Sequence, residues 1–110
     1  MDPGAVILLH LVEPAEKYWG QLQQLTPAGI TIRAVNLESF EDWLRSLSYG
    51  EEAAGLGLAT IFFPLRRVER MFLDEPVGQI ESLSQMLERR VGKPVEEILG
   101  IRGADTELTH

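Results

Sequence analysis

A chain of 110 residues with 45% hydrophobic and 25% charged content has the size and make-up of one soluble globular domain with one modest core, and leaves no space for separate cofactor and substrate domains. The net charge is -7; residues 1–57 carry three basic and eight acidic side chains and residues 58–110 carry seven and nine, so neither half has the basic balance of a general polyanion binder. With no cysteine, disulfides, thiolate nucleophiles and cysteine zinc sites are excluded.

The opening "MDPGAVILLHLVEP" lacks a basic leader region, and its apolar run is too short to span a bilayer, which points to a cytoplasmic protein. Ala5 to Val12, "AVILLHLV", reads as a strand buried on both faces, with His10 as a hydrogen-bonded core residue. Lys17 to Leu25 reads as a second strand. "TPAG", Thr26 to Gly29, is a turn in which Gly29 is free to take positive φ. "GITIRAVNL", Gly29 to Leu37, alternates as a third strand.

The period then changes. Phe40, Trp43, Leu44 and Leu47 fall on one helical stripe, with Ser39 as the expected N-cap and Asp42 at the capping-box position. "SYGEEAAGLG", Ser48 to Gly57, reads as a flexible loop. Leu58 to Phe63 is a fourth strand, Pro64 to Arg66 a break, and Arg67 to Asp74 a fifth strand. Simple alternation along that strand sets Arg67, Glu69, Met71 and Leu73 against Val68, Arg70 and Phe72. A helix over Ser82 to Val91 has a Ser82/Gln85 capping box and Gly92 as its stop; a short helix follows with Pro94 at its first position, and residues 101–110 read as a flexible tail.

The expected fold is α+β: five short antiparallel strands in a strongly bent sheet or small barrel, making one domain over residues 1–100. A helix is inserted at 39–47, and C-terminal helices at 82–99 lie at the flank. "VILLHLVEPAEKYWGQLQQLTPAGITIRAVNL" followed by "TIFFPLRRVERMFL" resembles the two halves of the Sm-like small barrel, in particular its bacterial Hfq-like branch. The resemblance covers about residues 5–74. It lies in the apolar first strand, Gly20 in the second, the alternating third, and then a short strand, a tight break and a closing strand. It implies a ring-forming RNA-associated protein whose copies join by strand edges.

The family's nucleotide pocket does not carry over residue by residue. Its acidic position falls near Thr26 and its asparagine near Gly29 or Ile30, and "PLR", Pro64 to Arg66, stands where the branch has Tyr-Lys-His.

The candidate contacts are therefore local. Arg66, Arg67 and Arg70 form either a phosphate-gripping patch or a solvated strand edge salt-bridged to Glu69, Asp74 and Glu75. Tyr18 and Trp19 are either a base-stacking platform or core aromatics beside Gly20. His10 and the terminal His110 do not assemble a zinc or serine-hydrolase set, and the neighbouring Glu96 and Glu97 point different ways on a helix. The reading is a non-enzymatic module without a cofactor, acting as a homo-oligomer that binds RNA, or else as an acidic protein-interaction or regulatory module.

Overall fold

The computed structural model describes residues 1–49 and 57–100. Five strands, β1 (Val6–Leu11), β2 (Glu16–Thr26), β3 (Gly29–Asn36), β4 (Ala59–Pro64) and β5 (Val68–Leu73), form one antiparallel sheet in the order β4-β3-β2-β1-β5. Three helices accompany it: α1 (Phe40–Ser48), α2 (Leu83–Val91) and α3 (Val95–Ile98). Most of the expected Ser48–Gly57 loop and the whole 101–110 tail lie outside the described residues. Among the described residues no helix is long and apolar enough to cross a membrane.

The sheet order and the chain order together impose a curl. β4 and β5 are the two outermost strands, yet only the 3-10 turn Leu65–Arg67 separates them in sequence. Five flat strands would hold those edges four spacings apart, about 19 Å. Four Cα steps from Pro64 to Val68 reach at most about 14 Å fully extended, and a 3-10 turn covers much less. The sheet therefore wraps towards itself, although no ladder joins β4 to β5 and the barrel is not closed.

The inner face confirms the wrap. Ile7, Leu9 and Leu11 of β1 meet Leu22, Ile30, Ile32, Ala34 and Phe63 in one buried cluster, and among the described residues no helical residue belongs to it. An uncovered flat sheet would leave such a face wet; here Ile7, Leu9, Leu22, Ile30 and Ile32 have no exposed surface. Phe63 of β4 reaches Tyr18 of β2, ring centroids 5.1 Å apart.

Three local features permit the bend. Gln23 is an extra residue in β2, between the pairs Leu22–Ile32 and Gln24–Thr31. Glu69 is an extra residue in β5, because His10 pairs with Arg70 while Leu11 pairs with Val68. Such bulges bend a strand and raise its twist. At Gly20, a Cβ would stand 2.1 Å from the Arg33 carbonyl oxygen and 2.5 Å from the Ala34 Cα, so β2 and β3 approach more closely than any side chain permits.

The outer face carries a second core. Trp19 and Val35 of the sheet pack with Phe40, Trp43 and Leu44 of α1, Leu87 of α2, Val95 of α3, and Leu58 and Leu99. The rings of Trp19, Phe40 and Trp43 lie 5.6 to 5.9 Å apart, at angles that avoid face-to-face stacking. The expectation that β1 is buried on both faces holds fully for one face only: Ile7, Leu9 and Leu11 are buried in the inner core, while Val6 and Leu8 are half-buried against the outer one.

Several local expectations need correction. Ser39 makes no side-chain cap; Asn36 Oδ1 instead accepts from the Glu38 N–H at 2.8 Å, capping a 3-10 turn that precedes α1. Pro94 occupies the N-cap of α3 rather than its first position. Gly29 takes no positive φ; it is glycine because a Cβ would lie 2.2 Å from the Phe63 carbonyl oxygen. Arg67 belongs to the turn and not to β5, and the Glu69 bulge resets the alternation, so Val68 and Met71 pack on the same inner cluster. The Ser82/Gln85 box and left-handed Gly92 stand as expected.

Gly20→Ala forces backbone apart from backbone, and we expect it to cost about 3 kcal/mol or more. Urea unfolding measures this; a loss below about 1 kcal/mol would mean that β2 and β3 separate readily there.

Candidate functional site: the arginine turn, the groove and the free edges

The three arginines do different things. Arg67 is a clasp. From the turn between β4 and β5 its Nε donates to the Val12 carbonyl at 3.0 Å, and its Nη2 donates to the Pro14 carbonyl at 2.7 Å and to Glu16 Oε1 at 3.0 Å. Its guanidinium carbon also stands 5.5 Å from the centre of the Phe63 ring. The Arg67 carbonyl in turn accepts from the Val12 N–H at 2.8 Å. A planar fork with fixed donors suits this three-way contact, and a single ammonium does not. The contacts join the β4–β5 turn to the β1–β2 turn and continue the β1–β5 pairing beyond Leu11 and Val68.

Arg70 lies on β5, exposed, with Glu69 at 4.0 Å as a marginal partner. Arg66 is exposed in the turn and makes no ion pair among the described residues. The expected pairing of the arginines with nearby Asp74 and Glu75 gives way to Glu16, fifty-one residues away in sequence from Arg67. Asp74 has other work. It accepts from Trp19 Nε1 at 2.9 Å, from the backbone N–H groups of Leu83 and Ser84 at 3.0 and 2.8 Å, and from the Ser84 hydroxyl at 2.7 Å. A carboxylate at the first turn of α2 suits the helix dipole and its unpaired N–H groups.

Tyr18 and Trp19 are adjacent in β2 and so face opposite ways. Trp19 has 0% exposure inside the outer core, and Tyr18 is half-buried against Phe63 of the inner one. The fold does not bring them together as one platform.

His10 is not a hydrogen-bonded core residue. It is half-buried, meets Phe72 edge-on with ring centroids 5.1 Å apart, and makes no hydrogen bond to another described residue. It opens onto a groove of about 620 Å³ walled by Pro14 and Lys17 on one side and Leu37 and Glu38 on the other. Cross-strand register sets His10 between Lys17 of β2 and Arg70 of β5. Partial burial, then Lys17, then Arg70 push the imidazole pKa below its ordinary value, against a smaller opposing pull from Glu69. Among the described residues no three His, Cys, Asp or Glu side chains gather in a way that would hold a metal ion.

Among the described residues the sheet ends in two strands that each pair on one side only, β4 and β5. Exposed apolar side chains accompany both: Phe62 and Leu65 at the β4 end, Phe72 and Leu73 on β5. Just beyond β5, Val77 and Ile80 exchange backbone hydrogen bonds of 3.0 and 2.9 Å around Gly78 and stand 70% and 72% exposed. No family model, no curated protein and no solved structure matches this chain.

Arg67→Ala removes three charge-assisted bonds at a partly buried site, and we expect a loss of about 2–4 kcal/mol. Arg67→Lys should recover less than half of it, as read by denaturant midpoints with unchanged slope. A neutral Arg67→Ala would mean that the inner core alone holds the curl.

Proposed function

We propose that this protein is a non-enzymatic, cytoplasmic binding module of the Sm-like kind that works as an oligomer, its copies joined through the free edges of β4 and β5. The observation that carries this reading is the pair of edges left open among the described residues, each flanked by exposed apolar side chains. An edge strand presents unpaired N–H and C=O groups, and natural proteins blunt such edges with charge, proline or a covering element. β4, "ATIFFP", has no charged residue, and its only proline is the last residue. The order of a short strand, a tight break and a closing strand, following an apolar strand, a glycine-bearing strand and an alternating one, also favours the reading.

Within that assembly RNA is held by Arg66 and Arg70, repeated once per copy. A second reading, a protein-binding or regulatory module, is favoured by one specific observation. Arg67 is already committed to Val12, Pro14 and Glu16, which leaves Arg66 and Arg70, the latter beside Glu69, in the cluster of a chain with net charge -7.

Light scattering behind a sizing column should show a species larger than one chain. Phe62→Lys and Leu73→Lys, one at each edge, should each return it to monomer while leaving the circular dichroism unchanged. A wild-type protein that is monomeric at high micromolar concentration would end the assembly reading. Gel shift of a labelled single-stranded RNA at low salt tests the partner. Binding that falls steeply with salt and is lost in the Arg66→Ala, Arg70→Ala double variant supports RNA; no shift at low salt leaves the protein-binding reading.

A further inference from the structure

We propose that His10 makes the seam between β1 and β5 acid-sensitive: proton uptake puts a third positive charge into the row Lys17–His10–Arg70 and loosens β5. The consequence for function rests on the assembly reading, because β5 carries one of the two free edges. The seam itself does not depend on that reading.

The geometry begins with register. His10 faces Lys17 across the β1–β2 ladder and Arg70 across the β1–β5 ladder. Directly opposed residues on an antiparallel pair lie about 5 Å apart at Cα, and like charges so opposed destabilise the pairing. With a neutral imidazole, two cations are separated by an uncharged spacer; with a protonated one, three stand in a line across adjacent strands.

Carboxylates around the site do not cancel this. Glu16 borders the same groove but is bonded to Arg67 at 3.0 Å. Glu69 lies beside Arg70 and exerts the smallest of the four influences on His10, and Glu38 is exposed on the far wall. The Phe72 ring on β5 gives the imidazole an edge-on contact and no hydrogen-bond acceptor.

The pairing of β5 is also interrupted beside His10. The Glu69 bulge interrupts the β1–β5 ladder immediately next to the His10–Arg70 pair, and among the described residues β5 has no second neighbour. Arg67 secures one end of the strand and Asp74 the other. Loosening at His10 therefore opens the middle of β5 between two fixed ends.

The direction in pH follows from the depressed folded-state pKa. Above the free imidazole value, about 6.5, both the closed and the open seam hold a neutral His10 and the seam is at full strength. As pH falls through that value the open form takes up the proton first, so closing weakens, and the loss levels off below the folded-state pKa.

Amide hydrogen exchange at pH 7.5 and 5.5, corrected for intrinsic rates, reads this directly. The opening constant of the β5 amides should rise in acid, approaching tenfold for each pH unit by which the folded His10 pKa lies below the free value. Amides of β3 should not respond. His10→Gln should flatten the acid response, Arg70→Gln should reduce it and Glu69→Gln should increase it. Equal β5 protection at both pH values, or an acid response that survives unchanged in His10→Gln, overturns the proposal. Should His10→Gln fail to fold, NMR titration of the His10 ring, distinguished from His110 by His110→Gln, decides: a folded-state pKa at or above 6.5 overturns it. Sizing at the two pH values separates the seam from the assembly. Acid loosening of β5 in a chain monomeric at both values supports the seam and removes the assembly reading instead.

Discussion

Three residues, Leu65 to Arg67, join the two outermost strands of a five-stranded sheet, and the rest of the architecture answers to that short connection. It makes a flat sheet impossible, and a curled one buries its own inner face with no second layer to cover it. The curl needs a place to bend, supplied by Gly20 and by extra residues at Gln23 and Glu69. Arg67 ties the connection itself down, binding two carbonyls and a carboxylate of the β1–β2 turn. The residue that most resembles a ligand-gripping cation is thus spent on the fold, and the free cations are its neighbours.

β2 is the wall shared by both cores. Successive residues point to opposite faces, so Tyr18 serves the inner cluster and Trp19 the outer one. The outer core is assembled from pieces far apart in sequence, and Asp74 ties them. Its carboxylate receives the Trp19 indole N–H from the sheet and two backbone N–H groups from the start of α2. The Ser82/Gln85 box satisfies further donors at the same helix end. Arg90 to Glu41, at 3.0 Å, links α2 to α1, but it is a surface pair and worth little beside the buried aromatics.

What could be read from the sequence was local. The strands announce themselves by β-branched runs and alternation between turn residues, and α1 by the spacing of Phe40, Trp43, Leu44 and Leu47. Gly92 and the capping box mark α2 in the same way. What was not legible depends on register. The Glu69 bulge has no sequence marker, so alternation along β5 assigned Val68 and Met71 to opposite faces when both point inwards. Glu16 as the partner of Arg67, and Asp74 as the partner of Trp19, require knowing which turns meet in space. His10 looked like a core residue because its sequence neighbours are apolar; its own neighbours are Lys17 and Arg70, one strand away on each side. The signal that would have helped was the connection length itself. A three-residue link between strands four places apart already dictates the curl.

The same constraint bears on which partner the protein can hold. A phosphate that took Arg67 would have to displace it from Val12, Pro14 and Glu16, and so would work against the contact that holds the β4–β5 turn to the β1–β2 turn. Arg66 and Arg70 remain, two cations per copy. Single-strand binding through two phosphates carries a salt slope of only about -1.4, from about -0.7 per contact, and correspondingly little affinity at physiological salt. A single copy with net charge -7 is then a poor RNA binder on electrostatic grounds alone. Repetition changes the arithmetic, because linked sites add their contacts while the strand is already held nearby. RNA binding and edge-to-edge assembly are for that reason one claim in this protein: without the second the first has too few cations to stand on, whereas a protein partner needs no such multiplication.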